Sequence, residues 1–302
     1  MSVNPTYAAP ITAASYEPTV NTLGAIEKIA KQAVYNVIAD DRLSPLEKGA
    51  LNNGAAVEQI VVPLAASTAF NPDSVTNFSA SNPTLAVRYF KAHTEKTFKV
   101  KVADKEIRKI RLAGSDEDIA GMIASSLSNG YIQENYEAIR DMFYDSDTYT
   151  AAVVNVGSVG TTDYKGILQK LKDTISGMTF VNADFNKAEI KRRTRSEDVV
   201  ILMPYWVKNA IDVNELAGVF NLSKDELDAR IIETDVKAAD GTGHIFVLDR
   251  NAAQIYTFYY GLESARNIDG KYTEFNLTVD KMYALSPLFD CADIYLDPSL
   301  NA

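Results

Sequence analysis

Helical periodicity persists for nearly thirty residues in the middle of this chain. Ser115 can cap the N-terminus of such a helix, and three acidic residues follow it where the helix dipole is positive. Apolar residues then recur at three- and four-residue spacing: Ile119, Met122, Ile123, Leu127, Tyr131, Ile132, Ala138, Ile139, Met142 and Phe143. At about 1.5 Å per residue, the pattern predicts a rod about 40 Å long that ends near Tyr144.

The residues before this helix predict an arm, a short helix and a hairpin. Residues 1–20 show no periodicity and predict an extended arm, whereas an amphipathic helical pattern runs from Thr22 to Ile38. Three β-rich runs follow, at 57–64, 85–90 and 97–110. A loop rich in Ser, Asn and Pro, at 70–83, lies between the first two runs. We interpret the three runs as one long projecting hairpin.

An α/β pattern begins after Thr150. Helices are predicted at 163–176, closed by Gly177, at the basic stretch 187–193, at 205–220, and after the capping box of Ser223 and Glu226. Strands are predicted at 151–156, 198–203, 230–234, 244–248, 254–260, 272–285 and 292–296.

Composition excludes several classes of protein. The 302 residues, 46% of them apolar, suffice for one large or two ordinary domains. Two His and one Cys leave little for metal, thiol or histidine-relay chemistry, whereas 16 Tyr and 12 Phe suit a protein that makes contact area. The lone cysteine excludes an internal disulfide framework, no run is long and apolar enough to span a membrane, and no secretory signal is recognisable. The net charge of −10 disfavours nucleic acid as a general partner.

Short motifs that could bind phosphate or calcium are incomplete. The glycines at 157 and 160 follow a predicted strand but lack the remaining residues of a dinucleotide or P-loop motif, so we expect a strand-to-helix turn. Asn182, Asp184 and Asn186 have the spacing of calcium ligands, but residues 187 and 193 are Lys and Arg where that loop needs Gly and Glu. A loop or a helix cap is the better interpretation.

The residue types that usually carry catalysis have structural interpretations. His244 lies in an apolar predicted strand with Asp249 nearby in sequence, and no nucleophile motif accompanies it. We interpret His244 as a half-buried sheet residue, His93 as surface and Cys291 as a buried, unreactive thiol. The paired carboxylates at 40 and 41, 116 and 118, and 145 and 147 suit caps. We predict no catalytic, cofactor-binding or metal-binding residues.

Charge is distributed unevenly along the chain. Residues 88–111 hold nine Lys or Arg against three acids, whereas residues 116–147 hold eight acids against one Arg. The basic hairpin of one copy could therefore lie across the acidic helix of another, although two solvated faces of one molecule would give the same pattern. The candidate intersubunit residues are Arg88, Lys96, Lys99, Lys101, Lys105, Arg108, Lys109, Asp116, Glu117, Asp118, Glu134, Glu137 and Asp141. A second basic cluster spans 187–195 and is interpreted as a helix face.

The order of elements resembles the major capsid protein of tailed bacteriophages, with the Hong Kong 97-type fold that encapsulin shells share. Short segments also resemble phage capsid sequences: Asp198-Val199-Val200-Ile201-Leu202-Met203-Pro204 and, near the end of the chain, 286–289 and 293–297. The resemblance implies an α+β fold made of an N-terminal arm, an extended β-hairpin loop, a long spine helix with β-strands in a peripheral domain, and an α/β axial domain. The implied boundaries are 1–45 for the arm and short helix, 46–111 for the hairpin loop, 112–150 for the spine helix and peripheral domain, 151–270 for the axial domain, and 271–302 for the strands that return to the peripheral domain.

The function that the resemblance implies is structural, not enzymatic. Copies of the chain would form pentamers and hexamers, and then an icosahedral shell around double-stranded DNA, after synthesis and assembly in the host bacterial cytoplasm. A separate scaffolding protein, a portal and decoration proteins are the implied partners, together with packaged DNA through non-specific contact. Two alternatives are an encapsulin-like compartment that holds protein cargo and, from another class, an α/β enzyme that uses carboxylates in an interdomain cleft.

Overall fold

A computed structural model describes residues 29–30, 46–52, 56–62, 64, 85–91, 94–106, 116–211, 230–234 and 243–301. Its helices are α1 (Asp116–Tyr144), α2 (Ser146–Ala152), α3 (Tyr164–Thr179) and α4 (Tyr205–Ala210). Its strands are β1 (Glu47–Ala50), β2 (Val57–Val61), β3 (Ala86–Phe90), β4 (Thr94–Ala103), β5 (Val154–Gly160), β6 (Val199–Pro204), β7 (Ile231–Thr234), β8 (Gly243–Asp249), β9 (Ala253–Asn267), β10 (Tyr272–Leu285) and β11 (Cys291–Asp297). The strands form three sheets, in the orders β1-β9-β10-β4, β5-β11-β8-β6-β7 and β2-β3.

The chain divides into two compact units. The first comprises Met1–Asp41, Glu95–Glu134 and Tyr259–Val279, and the second comprises Arg42–Thr94, Asn135–Phe258 and Asp280–Ala302. In the first unit, the apolar stripe of α1 packs against residues of β4, β9 and β10, with Ile119, Ile123 and Phe275 fully buried. This core explains why the α1 periodicity is regular up to Tyr131, which is also buried.

The five-stranded sheet organises the second unit. Every residue of its strand β6 is buried, as expected of a strand covered on both faces. Alternate side chains of the sheet enter two cores, one containing Ile201, Ile245 and the apolar face of α3, the other containing Phe246 and the C-terminal part of α1. The sheet is mixed, because β11 pairs with β5 in parallel and with β8 antiparallel.

Most predicted elements occur near their predicted positions. The long helix is confirmed as α1, and the strands at 198–203, 230–234, 244–248, 272–285 and 292–296 are confirmed within a few residues. The strand predicted at 254–260 is longer, Ala253–Asn267. The helix predicted at 205–220 begins at Tyr205 and is described as far as Ala210.

Four predictions are wrong in detail. Residues 187–193 are an irregular loop, not a helix. The strand predicted at 151–156 begins too early, because residues 151–152 are the last residues of α2. Asp145 caps the N-terminus of this helix by accepting a hydrogen bond from the Thr148 amide. Gly177 does not end α3, which continues to Thr179.

The fourth wrong detail is the turn predicted at the glycines 157 and 160. Strand β5 continues through them, with a register shift opposite β11. Gly157 has a φ of 116°, a conformation that glycine adopts without strain, and lies at this irregularity.

The predicted hairpin is divided between two sheets. β2 and β3 form an antiparallel ribbon, whereas β4 is the edge strand beside β10 in the four-stranded sheet. The third β-rich run therefore does not belong to the ribbon, and its strand ends at Ala103. The predicted arm, the capping box of Ser223 and Glu226, His93, and most of the helix at 22–38 lie outside the described residues, although Ile29 and Ala30 are helical.

Candidate functional site

The predicted basic and acidic segments meet within one chain. Lys96 on β4 forms an ion pair of 2.9 Å with Glu134 on α1, with half and about a third of the two side chains exposed. Lys101 places its Nζ 3.5 Å from the centroid of the Tyr272 ring, a cation–π contact. Lys96 and Glu134 therefore contact each other within one copy of the chain.

The other candidate contact residues differ in what surrounds them. Arg88, Lys99 and Lys105 are exposed and have no ion pair in the described part of the chain. Asp141 is exposed and binds the neighbouring Arg140 at 2.9 Å, and Glu137 is half-buried. Arg108 and Lys109 lie outside the described residues, and the side chains of Asp116, Glu117 and Asp118 are not described either.

The β2–β3 ribbon exposes an apolar face that the charge analysis missed. Ile60 lies opposite Val87 in the antiparallel register, so alternate residues of both strands share one face. The strand residues on this face are Ile60, Val87 and Tyr89, together with Glu58, which accepts a 2.8 Å hydrogen bond from the Tyr89 hydroxyl. Val62, Leu64 and Leu85 lie just beyond the strand ends, and with Ile60, Val87 and Tyr89 they are 40–65% exposed. On the opposite face, Val57 and Phe90 are buried in a small cluster with Met282. The alternation of apolar residues in both runs was the sequence signal for this face.

The loop after α3 is fixed by a buried polar network. Asn186 donates to Asp290 at 3.0 Å, and Thr194 donates to the other oxygen of Asp290 at 2.6 Å. Arg192 donates to Asp249 at 2.6 Å, and its guanidinium lies 4.0 Å from the centroid of the Phe289 ring. The loop is consequently rigid without being helical.

His244 is held by a fully buried carboxylate. Asp293 Oδ2 lies 2.9 Å from His244 Nδ1 and accepts a 2.5 Å hydrogen bond from the Tyr149 hydroxyl. A carboxylate can only accept, so the ring proton is assigned to Nδ1. His244 is 21% exposed and Asp293 is completely buried, which confirms the predicted half-buried sheet histidine but gives it a partner other than Asp249.

Aromatic rings surround His244. Phe246 stacks on it with ring centroids 5.7 Å apart, and the rings of Tyr144 and Tyr295 each lie 5.1 Å away. Burial raises the pKa of Tyr144 above its ordinary value, and the Asp293 charge adds to this. Burial and then the hydrogen bond to Asp293 raise the pKa of Tyr149 in the same direction. Both phenols therefore stay protonated at neutral pH.

This cluster borders a cleft of about 380 Å³ that is lined by Tyr144, Ser146, Tyr149, Asn155, His244 and Tyr295. Ser146, which lines the same cleft, has a side chain that could act as a nucleophile, but no hydrogen bond joins it to His244. A histidine activates a serine through such a bond, so the arrangement does not form a catalytic triad.

Other chemistry is limited in the described part of the chain. Cys291 is completely buried, and burial followed by the charges of Asp293 and Asp290 raises the pKa of its thiol. Within the described ranges, no group of three or more His, Cys, Asp or Glu side chains could hold a metal ion. Among the described helices, none combines the length and the apolar character needed to cross a membrane.

Comparison with known proteins identifies the family. The Phi29-like phage major capsid protein family matches residues 8–295, almost the entire chain. The chain belongs to this family.

Two proteins that are similar in sequence are also described as phage major capsid proteins. The major capsid protein of Bacillus phage GA-1 is 24% identical over 284 residues, which cover 91% of this chain and 60% of that protein. The major capsid protein of Bacillus phage PZA is 18% identical over 255 residues, which cover 82% of this chain and 57% of that protein. This member of the Phi29-like family thus spans about three fifths of the length of these relatives.

The fold is also that of a phage capsid protein. In the capsid structure of Staphylococcus phage Andhra, a chain that is 15% identical superposes with a TM-score of 0.65, covering 84% of this chain and 83% of that one. The predicted capsid fold of mixed helices and sheets is confirmed at this level. Members of the Phi29-like family are structural capsid proteins.

Proposed function

We propose that this chain is a shell subunit that assembles with its own copies into pentamers and hexamers, and then into an icosahedral virion capsid enclosing the double-stranded DNA of a tailed phage. The observation that carries this proposal is the match of the Phi29-like major capsid protein family over residues 8–295. The capsid fold of the described residues agrees with it.

The apolar face of the β2–β3 ribbon supports assembly. A two-stranded ribbon is marginally stable by itself in water, and a contiguous apolar face usually marks an interface. Full burial of a large apolar side chain contributes about 1.5–3 kcal/mol, and these six are already about half buried, so each would add about half of that in a contact. The natural partner of this face is the surface of a neighbouring copy, because a closed shell repeats the contact at every subunit.

Charge adds specificity to this contact. Lys99 lies on the same strand as Lys96, and Lys105 lies two residues after the end of that strand; neither has an ion pair in the part of the chain that the structure describes. We propose that they and Arg88 contact acidic residues of a neighbouring copy, with the exposed Asp141 among the candidates. Exposed ion pairs add little affinity, so their role is to set the register of the contact.

The remaining segments receive roles from the same proposal. The implied arm and short helix at 1–45, almost all of which lie outside the described residues, would contact neighbouring copies, and the ribbon would be part of the extended loop. α1 would be the spine of a peripheral domain, and the strands β5 to β8 would belong to an axial domain. A separate scaffolding protein, a portal and decoration proteins would act with the shell, and packaged DNA would touch its inner surface without sequence preference.

Electron microscopy of the purified chain tests the proposal. We expect closed, uniform particles by negative stain and a species far larger than the monomer by size exclusion. A chain that stays monomeric at high concentration would refute shell formation. Particles from infected cells that contain protein cargo and no DNA would favour a compartment instead of a virion.

The ribbon contact is tested by the double variant Ile60→Ser and Val87→Ser. Both side chains are exposed in the subunit, so we expect an unchanged melting temperature and a strong loss of particles. Ile268→Ser is the matched control, because Ile268 is 75% exposed but lies outside the ribbon. Normal particles from the double variant would show that the face is not an interface.

The charge contact is tested by Lys99→Glu with Lys105→Glu. We expect folded subunits that assemble poorly, with partial recovery when copies carrying Asp141→Lys are mixed in. Lys187→Glu, an exposed reversal on the loop after α3, is the control. Unimpaired assembly of the reversed subunit would contradict the proposed register role.

A further inference from the structure

The cleft beside His244 holds polar groups that the fold does not use. Tyr144, Ser146 and Tyr295 line it, and their hydroxyls have no hydrogen bond to any described residue. Since the Nδ1 proton of His244 is directed at Asp293, Nε2 is left as an acceptor without a partner among the described residues. Several unused groups that converge on one concave surface are the usual composition of a ligand site.

A negative charge lies behind the wall of this cleft, where Asp293 contacts the lining residues His244 and Tyr149 without lining the cleft itself. Asp293 is completely buried, and its second oxygen, Oδ1, has no hydrogen-bond partner among the described residues. Among the lining residues that the structure describes, none is a lysine or an arginine. The buried carboxylate acts on the cleft wall, because after burial itself it adds to the raised pKa of both Tyr144 and Tyr149. Its charge favours a cation over an anion in the cleft.

The walls of the cleft suit a particular kind of positive group. Three of its six lining residues are tyrosines, and ring faces attract ammonium and guanidinium groups. The hydroxyls and the bare imidazole nitrogen accept hydrogen bonds from such groups, which are donors only. A volume of about 380 Å³ is at the small end of ligand sites and is sufficient for a small organic cation.

We propose that the cleft formed by α1, α2, β5, β8 and β11 binds an organic cation, an alkylammonium or a guanidinium group. The group has two possible sources, a Lys or Arg side chain of another copy or a free amine in solution. Binding of the cation by the cleft is the same for both sources and does not depend on shell formation.

Histidine NMR of the unassembled subunit measures this binding directly. The chain has two histidines, so His244 gives one of two imidazole signals and His93 is an internal reference. Titration with arginine amide and with putrescine should shift the His244 signal and saturate at millimolar concentration, whereas acetate should not. Shifts of both histidines in parallel, or none with either cation, would overturn the proposal.

Variants separate a cation site from general surface binding. Tyr144→Leu and Tyr295→Leu each remove one ring and should weaken binding about five- to tenfold. Asp293→Asn keeps the shape but removes the charge, and its loss of affinity should be larger. Tyr205→Leu, an exposed tyrosine outside the cleft, is the control. If Asp293→Asn does not fold, the two tyrosine variants still decide, and wild-type affinity in both would refute the site.

Assembled particles distinguish the sources. If a side chain of another copy fills the cleft, His244 in particles has the shifted signal before any cation is added and does not titrate. If the ligand is a free amine, the signal titrates in particles as in subunits. A His244 signal that is unshifted in particles and unresponsive to both cations would contradict either version.

Discussion

Arg192→Met tests how the rigid loop after α3 is stabilised. The substitution keeps the length of the side chain but removes the guanidinium that binds Asp249, which is only 2% exposed. Asp249 would keep the amide hydrogen bonds from Asn251, at 2.8 and 3.0 Å, but would lose its ion pair. A buried carboxylate without a counter-charge is costly.

The size of the effect follows from three contacts. The charged hydrogen bond to Asp249 contributes about 1.5–3 kcal/mol, and the bond to the Leu288 carbonyl about 0.5–1.5 kcal/mol. The cation–π contact with Phe289 adds about 0.5–1 kcal/mol. We therefore expect the free energy of unfolding to fall by about 3–4 kcal/mol at neutral pH, within the range of about 3–5 kcal/mol for a broken buried pair.

The loss should depend on pH. Burial raises the pKa of Asp249 above its ordinary value, even though Arg192 acts in the opposite direction. The folded state therefore binds the proton more tightly than the unfolded state, so this group favours folding at low pH and the benefit is lost as the pH rises through the folded pKa. Without Arg192 that pKa rises further, so the variant should lose less stability at about pH 5 than at about pH 7.

Urea unfolding followed by tryptophan fluorescence measures the effect. Trp206 is the only tryptophan and packs against the core of the same unit. Arg193→Met is the control, because Arg193 is exposed, has no ion pair in the described part of the chain and should change stability by less than about 0.5 kcal/mol. Equal losses in the two variants, or a loss in Arg192→Met that does not shrink at lower pH, would refute the reasoning.

Two further predictions concern the packing of the subunit. Gly177→Ala should destabilise it by about 1 kcal/mol in calorimetry, because an added Cβ would lie 2.7 Å from the Phe185 ring and outweigh the gain in helix propensity; Gly121→Ala, which has open space around it, should instead stabilise by about 0.5–1 kcal/mol. Equal effects of the two glycine variants would mean that the Phe185 contact is unimportant. Cys291 should react with a thiol reagent only after unfolding in urea, because the residue is fully buried and burial raises the pKa of its thiol. Rapid labelling of the folded chain would show that this part of the sheet opens.

The sequence predicts an element well when its own residues determine it. α1 has a regular apolar stripe, and β6 is a continuous run of apolar residues, so both were recognisable without their partners. The loop at 187–193 was mistaken for a helix because its shape depends on Asp249 and Asp290, which lie about 60 to 100 residues further along the chain. Local propensity carries no information about such contacts.

The candidate sites show the same limit. Asp249 is near His244 in sequence, but pairing of β8 with β11 brings His244 to Asp293, which the sequence does not indicate. β4 was recognisable as a strand from its alternation, but its partner β10 was not. The apolar face of the ribbon was visible as alternation in both runs, yet only the pairing of Ile60 with Val87 shows that the two sets share one face.

The exposed face of the β2–β3 ribbon also affects the subunit before it assembles. The six exposed apolar side chains on and beside this two-stranded ribbon favour aggregation with other subunits. If the chain assembles as proposed, ordered assembly would compete with aggregation of free subunits, and aggregation would gain as the subunit concentration rises. A partner that covered the ribbon until a neighbouring copy bound it would then increase the yield of assembled subunits.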